Sequence, residues 1–148
     1  MPLPHASIEV RSECPGIRIS LAQVRRRARA MLRKAGFKRQ GLSILLVGDR
    51  RMRVLNRRFL NHDRTTDVIS FNLGGAGKIA GEVIISLETA RTKAKELKHS
   101  FLYEFYFYLC HGILHLAGYE DSTQRRRQAM FRKQEKILKQ LKISRVSS

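Results

Sequence analysis

The stretch FLYEFYFYLCHGILHLAGYED, residues 101–121, decides how this chain folds. Its first part, Phe101 to Ala117, is almost entirely apolar. A surface helix carries one apolar stripe, whereas a helix that is apolar on all sides is buried. The stretch therefore predicts a central helix around which the rest of the chain packs. Its aromatic residues point in every direction, which indicates packing rather than a base-stacking surface. Cys110 is predicted to be a core thiol.

Two histidines near the end of this helix predict a metal site. His111 and His115 are four residues apart, so both imidazoles lie on one helical face and can point at one ion. Gly118 can adopt a positive φ, so it is placed to end the helix and turn the chain back. Asp121 would then supply a third ligand from outside the helix. Three protein ligands and an open position are typical of a catalytic zinc site.

The third ligand has two alternatives. Asp121 stands just before the last predicted helix, with Gln124 three residues on, so it could instead be an N-cap in a capping box. Glu120 is a rival ligand, although the spacing favours Asp121. Glu104 lies seven residues before His111, on roughly the same face. It is interpreted either as orienting an imidazole or as pairing with an arginine.

The ligand spacing is also that of the metzincin proteases, H-E-x-x-H-x-x-G-x-x-H, with Asp121 in the third ligand's place. In those enzymes the glutamate after the first histidine is the general base. Gly112 stands at that position here. The sequence therefore argues against peptide hydrolysis by that mechanism.

Composition sets the broader class. The chain has 148 residues, a length that predicts one domain, residues 1–148. Its formal net charge of +18 predicts polyanionic partners such as RNA or ribosomes. It has no N-terminal apolar run and no apolar stretch long enough to span a membrane, which predicts a cytoplasmic location and no membrane partner. Cys14 and Cys110 are predicted to be reduced thiols. Nothing in the pattern indicates an oligomeric state.

The apolar spacing predicts the remaining elements. Ser20 and Ser86 are placed as helix N-caps, and Gly36 as a helix stop. Short connections between strands and helices predict an α+β (α/β-like) fold. It would be a single domain with one small mixed sheet of about four strands, about five helices, and the metal site at the end of the buried helix. The predicted strands are Ile8–Val10, Leu42–Val47, Val68–Phe71 and Ile79–Ile85. The predicted helices are residues 21–35, 50–60, 87–99, 101–117 and 122–141.

Three motifs resemble those of the YbeY family. HGILHLAGYED at residues 111–121 resembles the family signature H-G-x-L-H-L-x-G-Y-D-H. LNRRFLNHDRTTDVISF at residues 55–71 resembles its upstream block, L-N-x-x-Y-R-x-x-x-x-x-T-D-V-L-S-F. GEVIIS at residues 81–86 resembles its G-D-I-x-I-S strand. Three motifs in the expected order are far more specific than any one of them.

The resemblance implies a metal-dependent, single-strand-specific endoribonuclease. Such proteins act in rRNA maturation, notably at the small-subunit rRNA 3′ end, and in ribosome quality control. It also implies one zinc ion or another divalent ion per chain, held by His111 and His115, with single-stranded rRNA and the ribosome or its small subunit as partners. Two other functions stay open: a ribosome-associated assembly factor with a mainly structural metal, and a zinc hydrolase acting on another substrate such as peptide.

Two positions depart from the family pattern. Asp121 replaces the third histidine, which makes the ligand set harder and more receptive to other divalent ions. Leu60, after Phe59, replaces an arginine that the resemblance implies meets RNA in a basic cleft. The candidates for replacing that contact are Arg57, Arg58, His62 and Arg64.

Overall fold

The computed structural model describes residues 7–36, 41–60, 68–73 and 79–146. These ranges contain four strands and five helices, which confirms the predicted α+β class and the predicted number of elements. The observed boundaries differ from the predicted ones by a few residues. In chain order the elements are β1 (Ile8–Ser12), α1 (Leu21–Lys34), β2 (Gly41–Val47), α2 (Asp49–Leu60), β3 (Val68–Asn72), β4 (Ile79–Ser86), α3 (Leu87–Leu97), α4 (Phe101–Leu116) and α5 (Gln124–Gln140).

The four strands form one mixed sheet in the order β1-β2-β4-β3. The pairs β1·β2 and β2·β4 are parallel, whereas β3 runs antiparallel to β4 at the edge. All seven residues of β2 are buried. A strand covered on both faces has a nearly continuous run of apolar residues, and LSILLV is such a run apart from Ser43.

Helices cover both faces of the sheet. Successive side chains of a strand point to opposite faces, so neighbouring residues of β2 show which helices pack on each face. Ile44 of β2 belongs to the main core, which also contains residues of α1, α3, α4 and α5. The next residue, Leu45, belongs to a smaller core with Met52 and Leu55 of α2. Helices α2 and α4 therefore lie on opposite faces of the sheet.

The predicted central helix, α4, is buried along most of its length. Phe105, Leu109 and Ile113 are fully enclosed. Gly112 marks its closest approach to the sheet, since a Cβ atom there would lie 2.8 Å from a methyl carbon of Val83 and 3.3 Å from one of Val68. A larger residue at this position would push α4 away from β3 and β4.

The helix termini follow the sequence. The Ser20 hydroxyl accepts from the Gln23 N–H, and the Ser86 hydroxyl from the Thr89 N–H, so both predicted N-caps are confirmed. Gly36, after α1, has the positive φ of a helix stop, +86°. Within the described ranges no helix is both long enough and apolar enough to span a membrane.

Candidate metal centre

The three predicted ligands come together at the end of α4. The Nε2 atoms of His111 and His115 are 3.1 Å apart. One oxygen of Asp121, Oδ2, lies 3.5 Å from the first of these nitrogens and 3.4 Å from the second. In the described part of the chain, this is the one group of three or more His, Cys, Asp or Glu side chains placed to hold a metal ion.

The turn after α4 brings Asp121 back to the two histidines. Gly118 has a φ of +101°, a value that glycine adopts without the penalty that a Cβ atom would bring. The Gly118 N–H donates to the His115 carbonyl at 3.1 Å, and the Tyr119 N–H donates to that of Leu114 at 3.0 Å. These bonds close the helix, so the predicted role of Gly118 is confirmed.

The donor set fits a tetrahedral ion. Two donors each about 2.0–2.1 Å from zinc, at the tetrahedral angle, are about 3.3–3.4 Å apart. The sides of the observed triangle, 3.1, 3.5 and 3.4 Å, bracket that value. The His111, His115 and Asp121 side chains are 17%, 30% and 41% exposed. The triangle therefore faces solvent, which leaves room for a further ligand.

A residue that the sequence interpretation missed, Gln134 of α5, fixes the orientation of His111. Its Oε1 lies 3.0 Å from the His111 Nδ1, and its Nε2 donates to the Phe107 carbonyl at 3.1 Å. Gln134 is fully buried. Its signal in the sequence is weak, because one glutamine in a basic helix resembles ordinary surface.

The Gln134 amide also determines which His111 nitrogen carries the proton. The Phe107 carbonyl can only accept, so the amide nitrogen must face it and the amide oxygen must face His111. The His111 Nδ1 is then the donor, and its Nε2 keeps a free lone pair directed at His115 and Asp121. An outer hydrogen bond of this kind holds a histidine in the ligating tautomer.

Contacts at the start of α5 bear on both alternatives for the third ligand. Thr123 is the N-cap, since its hydroxyl accepts from the Arg126 N–H at 3.1 Å; the interpretation of Asp121 as the cap is therefore wrong. Glu120 forms an ion pair with Arg126. Asp121 is the acid that reaches the histidines.

The other singled-out residues of α4 lie outside the metal cluster. The Glu104 Oε1 is 2.6 Å from the His99 Nδ1, so Glu104 orients an imidazole, but that of His99 rather than His111. Cys110 is buried, and desolvation raises the pKa of its thiol to about 12, as expected for a core thiol. Cys14 and Cys110 are both free of disulfides.

Gly112 shows why the metzincin glutamate has no counterpart here. A Cβ atom at this position would point at Val83 and Val68 of the sheet, away from the ligand face of α4. A glutamate there would be driven into the core instead of reaching a substrate. The fold thus strengthens the argument against peptide hydrolysis by the metzincin mechanism.

Sequence comparison places the chain in a family. Residues 10–142 match the family described as Endoribonuclease YbeY. The chain belongs to the YbeY family. An Endoribonuclease YbeY from Anaeromyxobacter sp. (strain Fw109-5) is 40% identical over 134 residues, covering 88% of this chain and 70% of the relative. One from Geobacillus thermodenitrificans is 37% identical over 116 residues, covering 70% of this chain and 74% of the relative.

Structural comparison supports the same fold. The solution structure of TM1509 from Thermotoga maritima matches 91% of each chain with a TM-score of 0.63 and 23% identity. At that identity the likeness concerns the fold alone.

Of the arginines proposed to contact RNA in this YbeY-family chain, the two that the structure describes are not at the metal cluster. Arg57 and Arg58 are exposed on α2, on the sheet face opposite α4, and their role in RNA binding stays a prediction. His62 and Arg64 lie outside the described residues, as do the side chains of Phe59 and Leu60.

A basic surface nearer the cluster lies on α5, which begins three residues after Asp121. This helix carries seven basic residues against one acid, Glu135, a net of +6. Phosphate groups of a nucleic acid would be attracted to such a surface without regard to base sequence. The basic residues are Arg125, Arg126, Arg127, Arg132, Lys133, Lys136 and Lys139.

Proposed function

We propose that this YbeY-family chain is a metal-dependent endoribonuclease that hydrolyses phosphodiester bonds in single-stranded RNA. The observation that carries the proposal is the solvent-facing triangle of His111, His115 and Asp121 in a member of a family described by endoribonuclease activity. Structural zinc sites are closed by four protein ligands, whereas catalytic sites keep a position for substrate or water. A site with three donors, of which Asp121 is 41% exposed, favours catalysis over a purely structural metal.

The proposed substrate is rRNA, at the 3′ end of the small-subunit RNA, and the proposed partner is the ribosome or its small subunit in the cytoplasm. The proposal includes a role in ribosome quality control. It is supported by the family match and by the net charge of +18, which favours a polyanionic partner. Zinc is the proposed ion, because imidazole and carboxylate donors suit it and the sides of the triangle match its bond lengths.

The residues of the site have separate tasks. His111, His115 and Asp121 would hold a divalent ion, which would supply Lewis acidity toward a phosphoryl oxygen and lower the pKa of a water molecule. Gln134 keeps the His111 Nε2 lone pair directed into the site. The Asp121 carboxylate offsets part of the positive charge of the ion. Exposed arginines at the start of α5 offset the charge of the phosphates on either side of the cleaved bond.

A matched pair of acidic residues tests the metal site. Asp121→Asn removes the carboxylate of the cluster, whereas Glu120→Gln removes the adjacent carboxylate, which is paired with Arg126. Because Thr123 caps α5, neither change removes the helix cap. We expect wild type and Glu120→Gln to carry one zinc ion per chain by elemental analysis. Asp121→Asn and His115→Ala should carry much less.

The same four proteins are then given a single-stranded rRNA precursor fragment. We expect cleavage by wild type and Glu120→Gln, and none by Asp121→Asn or His115→Ala when circular dichroism shows that both are folded. Equal cleavage by wild type and His115→Ala would identify a contaminating ribonuclease and refute the proposal. If no variant cuts while all bind RNA, the assembly-factor alternative is favoured.

The termini of the first products identify the attacking oxygen. A 2′,3′-cyclic phosphate shows attack by the neighbouring 2′-hydroxyl of the RNA, whereas a linear phosphate shows attack by water. In both cases the phosphodiester P–O bond to the leaving nucleoside breaks, and a proton is delivered to the departing oxygen.

A further inference from the structure

Two exposed aromatic residues flank the metal cluster. Among the side chains that the structure describes, Tyr119 and Phe131 are the aromatic ones that reach 38% exposure. Tyr119 lies in the turn between His115 and Asp121. The Phe131 ring is 6.2 Å from the His111 ring, between centroids. In the described part of the chain, the two most exposed aromatic side chains therefore both lie beside the candidate site.

Core packing does not account for the position of Phe131. Its neighbour Met130 is fully buried and fills the interior at this turn of α5. Phe131 instead rests against two rings, those of His111 and Phe107, at centroid distances of 6.2 and 5.8 Å and interplanar angles near 47° and 48°. The ring is thus held in place while more than a third of the residue remains in contact with solvent.

The surroundings of Phe131 carry a strong positive charge. Arg127 lies one turn earlier on the same face of α5, is exposed, and forms no ion pair with any carboxylate in the described ranges. Side chains of a helix lean toward its N-terminus, so the ring of Phe131 leans toward Arg127 and the first turn of α5. That first turn adjoins Asp121 and the metal cluster.

We propose that Phe131 is a stacking platform for a nucleobase of single-stranded RNA next to the cleaved phosphate, with Arg127 contacting a flanking phosphate. An aromatic ring beside a basic groove is the arrangement by which proteins bind unpaired strands without reading their sequence. A duplex keeps its bases stacked inside and cannot present one to this ring. The proposal rests on the endoribonuclease function and assigns its preference for unpaired strands to a specific side chain.

Binding is measured apart from cleavage, with the zinc-loaded protein and a short 2′-O-methyl phosphorothioate strand, which resists hydrolysis. One base of the strand is replaced by 2-aminopurine, whose fluorescence is quenched by stacking. The variants are Phe131→Leu, which removes the ring, and Phe131→Trp, which keeps one. Phe101→Leu is the matched control, since Phe101 lies at the opposite end of α4 from the ligands. A strand lacking the base at the tested position is the matched control for the RNA.

We expect Phe131→Leu to weaken binding roughly 5- to 150-fold, the range for losing one stacked base, and to abolish the quenching. Phe131→Trp and Phe101→Leu should bind and quench as wild type does. The abasic strand should bind wild type and Phe131→Leu equally. Zinc content should be unchanged in Phe131→Leu.

Several results overturn the inference. Unchanged affinity and quenching in Phe131→Leu, an equal loss with the abasic strand, or loss of zinc from Phe131→Leu would each show that the ring has another role. Tyr119→Leu is measured beside these variants, and a loss of affinity and quenching found only in Tyr119→Leu would overturn the assignment to Phe131 and move the platform to Tyr119. These results leave the endoribonuclease function intact if wild type still cuts RNA. If wild type neither binds nor cuts RNA, both proposals fail.

Discussion

Replacing Gln134 with methionine tests the outer hydrogen bonds of the metal site. Methionine has a similar length, but its thioether is at most a weak acceptor for the His111 Nδ1 and cannot donate to the Phe107 carbonyl, so the amide contacts at 3.0 and 3.1 Å are lost. The Phe107 carbonyl keeps its bond within α4, whereas the His111 N–H loses its acceptor. Metal affinity is the property most directly affected, because the orientation and the tautomer of a ligand are no longer fixed.

The expected magnitudes follow from burial. An unsatisfied buried donor costs about 1–3 kcal/mol of unfolding free energy. Since the His111 side chain is 17% exposed, water can reach part of it and the cost should lie in the lower half of that range. Losing an outer partner of a ligating histidine typically weakens metal affinity about 10- to 100-fold, which is about 1.4–2.7 kcal/mol.

The assay is a zinc competition titration against a chromophoric chelator, with unfolding in urea measured on the same samples. Gln128→Met is the matched control, because Gln128 is an exposed glutamine of the same helix. Gln134→Glu keeps the acceptor for His111 and loses the donor to Phe107, so it should bind zinc more tightly than Gln134→Met. If Gln134→Met binds zinc as tightly as wild type, the assignment of Gln134 as a positioning residue is wrong.

Two further predictions concern the core around α4. Gly112→Ala should lower the unfolding free energy by about 1–2 kcal/mol in urea titrations, because crowding Val83 costs more than the gain in helix propensity. A Val83→Ala background should reduce that loss, whereas Gly16→Ala, with open space around its Cβ position, should show little effect. Because burial raises the pKa of Cys110 to about 12, the native chain at pH 8 should expose at most one thiol, Cys14, to Ellman's reagent, and two after denaturation. Because the thiol of Cys110 holds its proton more tightly in the folded chain than in the unfolded chain, the unfolding free energy is unaffected by this group below pH 9.0, the ordinary thiol pKa. The unfolding free energy then falls as the pH rises from 9.0 toward 12, because only the unfolded thiol ionises in that range. Two fast-reacting thiols in the native state would contradict the burial of Cys110.

The sequence predicts the elements and the ligand triangle because both depend on local spacing. His111 and His115 share a face by helical periodicity, and Gly118 provides the turn that returns Asp121. These features lie within eleven consecutive residues, 111–121, so no long-range contact has to be known. The number of strands also follows, since each strand is a short apolar run between turn or cap residues.

The sequence does not predict the partner of His111, the cap of α5 or the order of the strands. The first and last of these depend on contacts between segments that are distant in the sequence. Gln134 meets His111 across 23 residues, and that contact exists only once α5 packs on α4. Met130, Ile137 and Leu138 are buried around it, so the weak signal that the sequence carries is a glutamine at the spacing of an apolar stripe. The sequence does not distinguish Thr123 from Asp121 as the cap either, because both residue types cap helices well. The strand order likewise requires the packed structure.

The hydrogen bond between Gln134 and His111 joins two helices with different tasks. His111 belongs to α4, which carries two of the candidate metal ligands, and Gln134 belongs to α5, which carries the basic residues proposed to contact phosphates. Coupling between two binding sites is reciprocal. If a bound ion favours the position of α5 packed on α4, then a ligand that favours the same position raises the affinity for the ion by the same factor by which the ion raises the affinity for that ligand. If a polyanion lying along α5 favours that same docked position, the polyanion and the ion would increase each other's occupancy, and the Gln134–His111 hydrogen bond would be a direct link between them.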